Sequence, residues 1–139
     1  MPLRTYLTRS EEETIELGAA LAQRLPERSV VLLIGDLGAG KTTLAKGIVK
    51  GLGAASIEDV SSPTFTLIHE YGPGVYHIDL YRLEEEREVA TLGLDEIFSK
   101  RAVTLIEWGE RFPRLMPPGR LEIRLESTAD EGRRITCNF

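Results

Sequence analysis

The sequence predicts a three-layer α/β domain whose central sheet mixes parallel and antiparallel strands, and three observations carry that expectation. A segment with helical periodicity leads into residues 30–34, a continuous apolar run of the kind buried on both faces of a parallel sheet. A glycine-rich loop and a second helical segment follow it directly. The second half of the chain instead carries short strand-like runs around Gly- and Pro-containing turns, as antiparallel pairs do.

Taken in order, Ser10-Glu11-Glu12-Glu13 reads as a capping box, with Ser10 at the N-cap and Glu13 three residues on. The acidic first turn suits the positive end of a helix. Ile15, Ala19 and Ala22 with Leu17, Leu21 and Leu25 make a broad apolar face, and Pro26 closes the segment. A helix is predicted over 41–52 and ends at Gly53. Residues 65–71 and 75–81 are expected to form an antiparallel hairpin about Gly72-Pro73-Gly74. Residues 84–98 are charged and helical with a break near Gly93, and 103–108 form a short apolar strand. Pro113, Pro117, Pro118 and Gly119 mark a loop. Residues 121–125 alternate apolar and charged, and 134–139 offer a partner strand across a Gly-containing turn. With no repeat, low-complexity tract or linker, residues 1–139 are expected to form a single domain.

Composition narrows the function classes. Apolar residues at 42% supply one core, and charged residues at 28% exclude a disordered chain. A net charge of −5 argues against binding nucleic acid over the whole surface. Cys137 is the single cysteine, so no intramolecular disulfide forms, and no Cys/His cluster has zinc-site spacing. The start, Met1-Pro-Leu-Arg-Thr, lacks the apolar stretch of a secretion signal, and the longest aliphatic run, 30–34, is far short of a membrane span. A soluble, cytoplasmic protein without a membrane partner is expected.

Gly35-Asp36-Leu37-Gly38-Ala39-Gly40-Lys41-Thr42 matches G-x-x-x-x-G-K-[ST] in full, between a buried strand and a helix. Glycines let successive backbone N–H groups curl around a phosphate, and the helix N-terminus adds partial positive charge there. Lys41 can reach the β- and γ-phosphates, and Thr42 offers a hydroxyl to Mg²⁺. Chance would produce such a match in roughly one chain in a few hundred of this length, and the strand–loop–helix context makes coincidence rarer still.

Magnesium held by one hydroxyl calls for a carboxylate as well. Val103-Thr104-Leu105-Ile106-Glu107 is an apolar strand ending in an acid, the shape of a Walker B element with Glu in place of Asp. Ser61-Ser62-Pro63-Thr64 is either a switch segment whose Thr64 senses the γ-phosphate and metal, or an ordinary side-chain-capped turn. Strand alternation puts His77 and Asp79 on one face, opposite Ile78. Asp79 then either orients an attacking water, or holds it through Mg²⁺, or pairs with a neighbour such as Arg82. His69 and His77 alone make no metal site, and Trp108 beside Glu107 is a packing residue placed to report on nucleotide.

As a set, Gly35–Thr43, Ser62-Pro-Thr-Phe-Thr66, Tyr76-His-Ile-Asp-Leu-Tyr-Arg82 and Leu105-Ile-Glu-Trp108 resemble the TsaE (formerly YjeE) family in order and spacing, over nearly the whole chain. The resemblance implies a three-layer P-loop NTPase fold and an ATPase of bacterial tRNA threonylcarbamoyladenosine synthesis, slow when alone. It implies ATP and Mg²⁺ as cofactors and TsaD and TsaB as partners, with tRNA reached only through that complex. The implied enzyme hydrolyses ATP and is not itself the threonylcarbamoyl transferase. Residue by residue, the resemblance assigns phosphate binding to Lys41 and the loop amides of Asp36, Leu37, Gly38, Ala39 and Gly40, with Thr42 and Thr43 following. Thr42 and Glu107 would hold Mg²⁺, Thr64 would be the switch threonine, and Asp79 an acid needed for hydrolysis. Glu11 and the Gly132-Arg133 pair would lie near the nucleotide.

Three other readings share the phosphate loop. A small-molecule kinase would need an acceptor pocket and an Arg-rich lid, for which Arg111, Arg114 and Arg120 are the candidates. A GTPase commonly carries N-K-x-D, whereas Asn138 is the only asparagine here. A binding module would hold nucleotide without hydrolysis.

Overall fold

The computed structural model describes residues 3–56, 60, 67–72, 74–129 and 131–139. Its strands are β1 (Arg4–Thr8), β2 (Ser29–Ile34), β3 (Ile68–Glu70), β4 (Val75–Asp79), β5 (Val103–Glu107), β6 (Leu121–Ser127) and β7 (Arg133–Cys137). They form one sheet in the order β1-β7-β6-β2-β5-β4-β3. β2 pairs in parallel with both β5 and β6, and β4 pairs in parallel with β5. The outer pairs β1–β7, β6–β7 and β3–β4 are antiparallel. The sheet is therefore mixed, as expected, with its parallel strands at the centre.

Helices α1 (Glu11–Ala22) and α2 (Lys41–Gly51) cover one face, where Leu21, Leu44 and Ile48 pack with Val31, Leu33, Leu105 and Ile123. The other face is covered by α3 (Glu86–Ala90), α4 (Leu94–Phe98) and the 3₁₀ turns Gly109–Arg111 and Pro113–Leu115. There Val89, Leu94, Phe112 and Met116 pack against Leu32, Ile78 and Ile106. Because both faces are covered, every residue of β2 is buried, which is why its sequence shows no polar alternation.

The local signals act through recognisable caps. Ser10 Oγ accepts from the Glu13 N–H at 3.2 Å, while the Glu13 carboxylate accepts from the Arg9 N–H at 2.9 Å. The reciprocal bond thus reaches one residue further back than the expected capping box. At the C-terminus of α1, i→i−3 bonds carry the chain through Leu25 to Pro26. α2 ends in a Schellman arrangement: Gly53, at φ 73°, donates to Lys50 O, and Ala54 donates to Val49 O at 3.2 Å. Gly93, at φ 71°, separates α3 from α4 where a break is expected.

Two elements differ from expectation. β1 carries no sequence signal: it is an edge strand with only Thr8 buried, so backbone pairing to β7 rather than an apolar face holds it. In α1 the buried residues are Thr14, Gly18, Leu21 and Ala22, so Ile15 and Leu17 flank the contact instead of centring it. The cause is the close approach of α2. A Cβ at Gly18 would lie 2.6 Å from Leu44 O, one at Gly51 would lie 2.7 Å from Ala19 Cα, and one at Gly47 would collide with Ile15 O.

Helix propensity alone favours alanine over glycine at such positions by about 1 kcal/mol. The backbone contact reverses the sign: Gly47→Ala is expected to destabilise by about 1–3 kcal/mol, the usual cost of overpacking. Thermal unfolding followed by circular dichroism should show a fall in Tm of about 3–10 °C, and an unchanged or raised Tm would contradict the contact.

Candidate functional site

The site forms where the carboxyl ends of the parallel strands meet the start of α2, the position at which open α/β sheets bind ligands. Gly38 and Gly40 have φ of 79° and 100°, so residues with a side chain would be strained at both turns of the loop. Gly40 is also the N-cap of α2, which begins at Lys41. The loop between β2 and α2 therefore presents its backbone toward the helix N-terminus, a geometry suited to a phosphate.

Lys41 is only 5% exposed. Its ammonium donates to Gly35 O at 2.6 Å and lies 3.5 Å from the centre of the Trp108 ring. Burial pushes its pKa below the ordinary lysine value, Glu107, Glu110 and Asp79 pull it partly back, and Arg111 adds to the lowering. A polyanion in the loop would supply the countercharge that this desolvated ammonium attracts.

The strand register brings the acids to the same place. Asp79 at the end of β4 pairs with Glu107 at the end of β5, and Glu107 pairs with Leu33 next to the loop. Both carboxylates are buried, at 5% and 4% exposure. Thr42 Oγ1 donates to Glu107 Oε2 at 3.3 Å, and His77 Nε2 lies 2.6 Å from the same oxygen. Asp79 Oδ1 accepts from the Tyr81 N–H at 2.9 Å. Four buried ionisable side chains, Lys41, His77, Asp79 and Glu107, converge here, a costly arrangement characteristic of functional sites.

Lys41, Thr42, Asp79 and Glu107 border a cleft of about 390 Å³, together with Glu11, Leu37, Gly38, Gly40, Thr43, Tyr81, Trp108 and Arg133. A larger hollow of about 560 Å³ lies against the loop and takes in Asp36 and Ala39, but none of Lys41, Thr42, Asp79 or Glu107 borders it. Lys41, Thr42 and both strand-end acids therefore line the smaller cleft and not the larger hollow. Glu11 enters it from the first turn of α1. Arg133, the first residue of β7, donates to Gly38 O at 3.3 Å, and its Nε would lie 3.3 Å from a Cβ on Gly40. The antiparallel strands at that end of the sheet thus fasten an arginine onto the phosphate loop. Thr64 lies outside the described residues.

The donor set suits magnesium shared with a phosphate ligand. Thr42 and Glu107 offer two hard oxygens 3.3 Å apart, and among the described residues no group of three or more His, Cys, Asp or Glu forms a metal site. Mg²⁺ is ordinarily held by one or two protein oxygens with phosphates and waters completing the shell.

Three features in and around the cleft are not deducible from local pattern. His77 contacts Glu107 across 30 positions in sequence, so only strand pairing reveals the contact. Trp108 adopts φ 67°, a left-handed conformation uncommon for a bulky residue, and lies under Lys41 and Arg111 and beside Tyr81. Arg111 donates to Tyr81 O at 2.8 Å. The sequence signal available for Trp108 is its place directly after the strand-end acid.

The family model described as Threonylcarbamoyl adenosine biosynthesis protein TsaE matches residues 8–135. The chain is 45% identical over 134 residues to the tRNA threonylcarbamoyladenosine biosynthesis protein TsaE of Bacillus subtilis, covering 94% of this chain and 82% of that one. It is 46% identical over 133 residues to the protein of the same name from Nostoc, covering 89% and 78%. The crystal structure of Bacillus subtilis YdiB superposes with a TM-score of 0.80 at 36% identity, covering 98% of this chain and 84% of that one. With its phosphate loop and strand-end acids meeting in one cleft, the chain belongs to the TsaE family of threonylcarbamoyl adenosine biosynthesis proteins.

Proposed function

We propose that this protein is a Mg²⁺-dependent ATPase of tRNA threonylcarbamoyladenosine biosynthesis, working with TsaD and TsaB to support turnover rather than transferring the threonylcarbamoyl group itself. The observation that carries the reading is the junction of Lys41, Thr42 and Glu107 in one cleft, with Thr42 and Glu107 in hydrogen-bond contact.

The roles follow from position. Lys41 and the loop amides bind the phosphates, while Arg133 and Glu11 also border the cleft and suit contact with the nucleotide. Thr42 and Glu107 would hold Mg²⁺, which would supply positive charge against the phosphates. Asp79, at the end of the strand beside Glu107 and steadied by the Tyr81 N–H, orients the attacking water and accepts its proton. Trp108 bounds the cleft, so nucleotide entry should alter its fluorescence.

The kinase reading loses its main support in the arginines of the Pro-rich loop. Arg114 pairs with Glu86 at 2.7 Å and Arg120 with Glu122 at 3.4 Å, and neither borders the cleft. Arg111 is held on Tyr81 O.

Steady-state phosphate release from Mg-ATP tests the proposal, measured on the chain alone and with purified TsaD and TsaB. A low basal rate that rises at least several-fold with the partners is expected. A rate indifferent to them, or no release at all, would overturn it. Asp79→Ala should lower hydrolysis by about 10²-fold or more, the usual scale for a general base, with ATP affinity within about threefold of wild type. Glu107→Gln should weaken Mg²⁺-dependent ATP binding by about tenfold or more, read by Trp108 fluorescence as Mg²⁺ is titrated. Unchanged Mg²⁺ affinity would remove Glu107 from the metal site.

A further inference from the structure

We infer that His77 is a positioning residue for the Glu107 carboxylate, holding it in the orientation that serves the metal; this rests on the Mg²⁺-ATPase reading above. His77 is fully buried in β4, and Nε2 stands 2.6 Å from Glu107 Oε2. Nδ1 is buried without a hydrogen-bond partner among the described residues. A histidine that serves packing alone is ordinarily satisfied at both nitrogens, because an unmet buried polar atom is destabilising. Here the ring directs Nε2 at one carboxylate oxygen, while no described residue meets Nδ1. A carboxylate oxygen accepts, so Nε2 carries a proton and donates to Glu107.

The geometry explains why such a donor matters. Glu107 ends its strand and has three rotatable side-chain bonds, one more than the Asp usual at this position. Thr42 also donates to Oε2, but at 3.3 Å and from a hydroxyl that the metal would itself engage. His77 comes instead from the neighbouring parallel strand, where Leu105 is its register partner and Glu107 lies two residues farther along on the same face. Its backbone is fixed by the sheet and its ring by burial, so the bond to Oε2 persists when Thr42 turns to a ligand. Outer-shell bonds of this kind orient metal-ligating carboxylates.

The test is a Mg²⁺ titration at fixed ATP, read by Trp108 fluorescence, on wild type, His77→Asn, His77→Gln and the same Asn change in a Glu107→Gln background. Glutamine places an amide N–H near the position of Nε2, whereas asparagine falls short. The Asn variant should need about tenfold more Mg²⁺ for half-saturation, the scale of outer-shell losses, and the Gln variant should stay within about threefold of wild type. In the Glu107→Gln background the Asn change should add nothing. An Asn variant equal to wild type, or one whose loss persists without Glu107, would overturn the inference, since a structural role would act regardless of residue 107. Nitrogen-15 NMR of the wild-type imidazole adds a reading that needs no variant: the Nε2–H resonance should shift when Mg²⁺ is added to the ATP complex, and an unmoved resonance would also overturn it. Wild type whose ATP binding is indifferent to Mg²⁺ would instead overturn the ATPase reading, and the His77 inference with it.

Discussion

The parallel ladder that joins β2, β5 and β4 is the constraint on which the rest of the structure depends. It places Leu33, Glu107 and Asp79 side by side at the strand ends, one residue short of the phosphate loop. Strands in a sheet sit about 4.8 Å apart, so this register sets the spacing between the loop and both acids to within a side-chain length. A slip of one residue would turn Glu107 to the opposite face, toward Ile106's neighbours Leu32 and Ile78, and remove it from Thr42. Placing the Glu107 carboxylate in that apolar layer is what disfavours the slip.

The covering helices serve the same end. α2 has to begin at the loop, so its N-terminal turn cannot move away from the sheet, and α1 must then be accommodated against it. Gly18, Gly47 and Gly51 let the two backbones approach closely enough for that. Glycine inside a helix is unfavourable on propensity grounds, so its presence at three contact positions shows that inter-helix distance outweighs local preference. The approach has a functional reach, because α1 carries Glu11 to the rim of the cleft.

The polar interior is the other side of this economy. Lys41, His77, Asp79 and Glu107 lie where apolar side chains would pack more stably, and each is tied to a neighbour: Lys41 to Gly35 O, His77 and Thr42 to Glu107, Asp79 to the Tyr81 N–H. Trp108, in a left-handed backbone conformation, closes the cluster against Arg111 and Tyr81. Departures from local preference thus include Trp108 and the buried polar groups at and beside the cleft, as well as the glycines between α1 and α2.

By itself the sequence determined what local chemistry determines. The α1 N-cap at Ser10, the stop at Gly53, the break at Gly93, the doubly buried strand and the glycines of the loop act through neighbours a few positions away, and each was legible. So were the candidate residues themselves, since Lys41, Thr42, Asp79 and Glu107 stand in recognisable strings. Tertiary structure decided which of them meet. The Glu107–His77 and Glu107–Thr42 contacts span 30 and 65 positions and exist only through strand pairing. β1 was silent because an edge strand held by backbone bonds needs no apolar pattern, and Gly18 rather than Ile15 centres α1 because distance to another helix is invisible in a periodicity. Local signals travel along the chain, whereas register and helix approach are set by surfaces that only folding brings together.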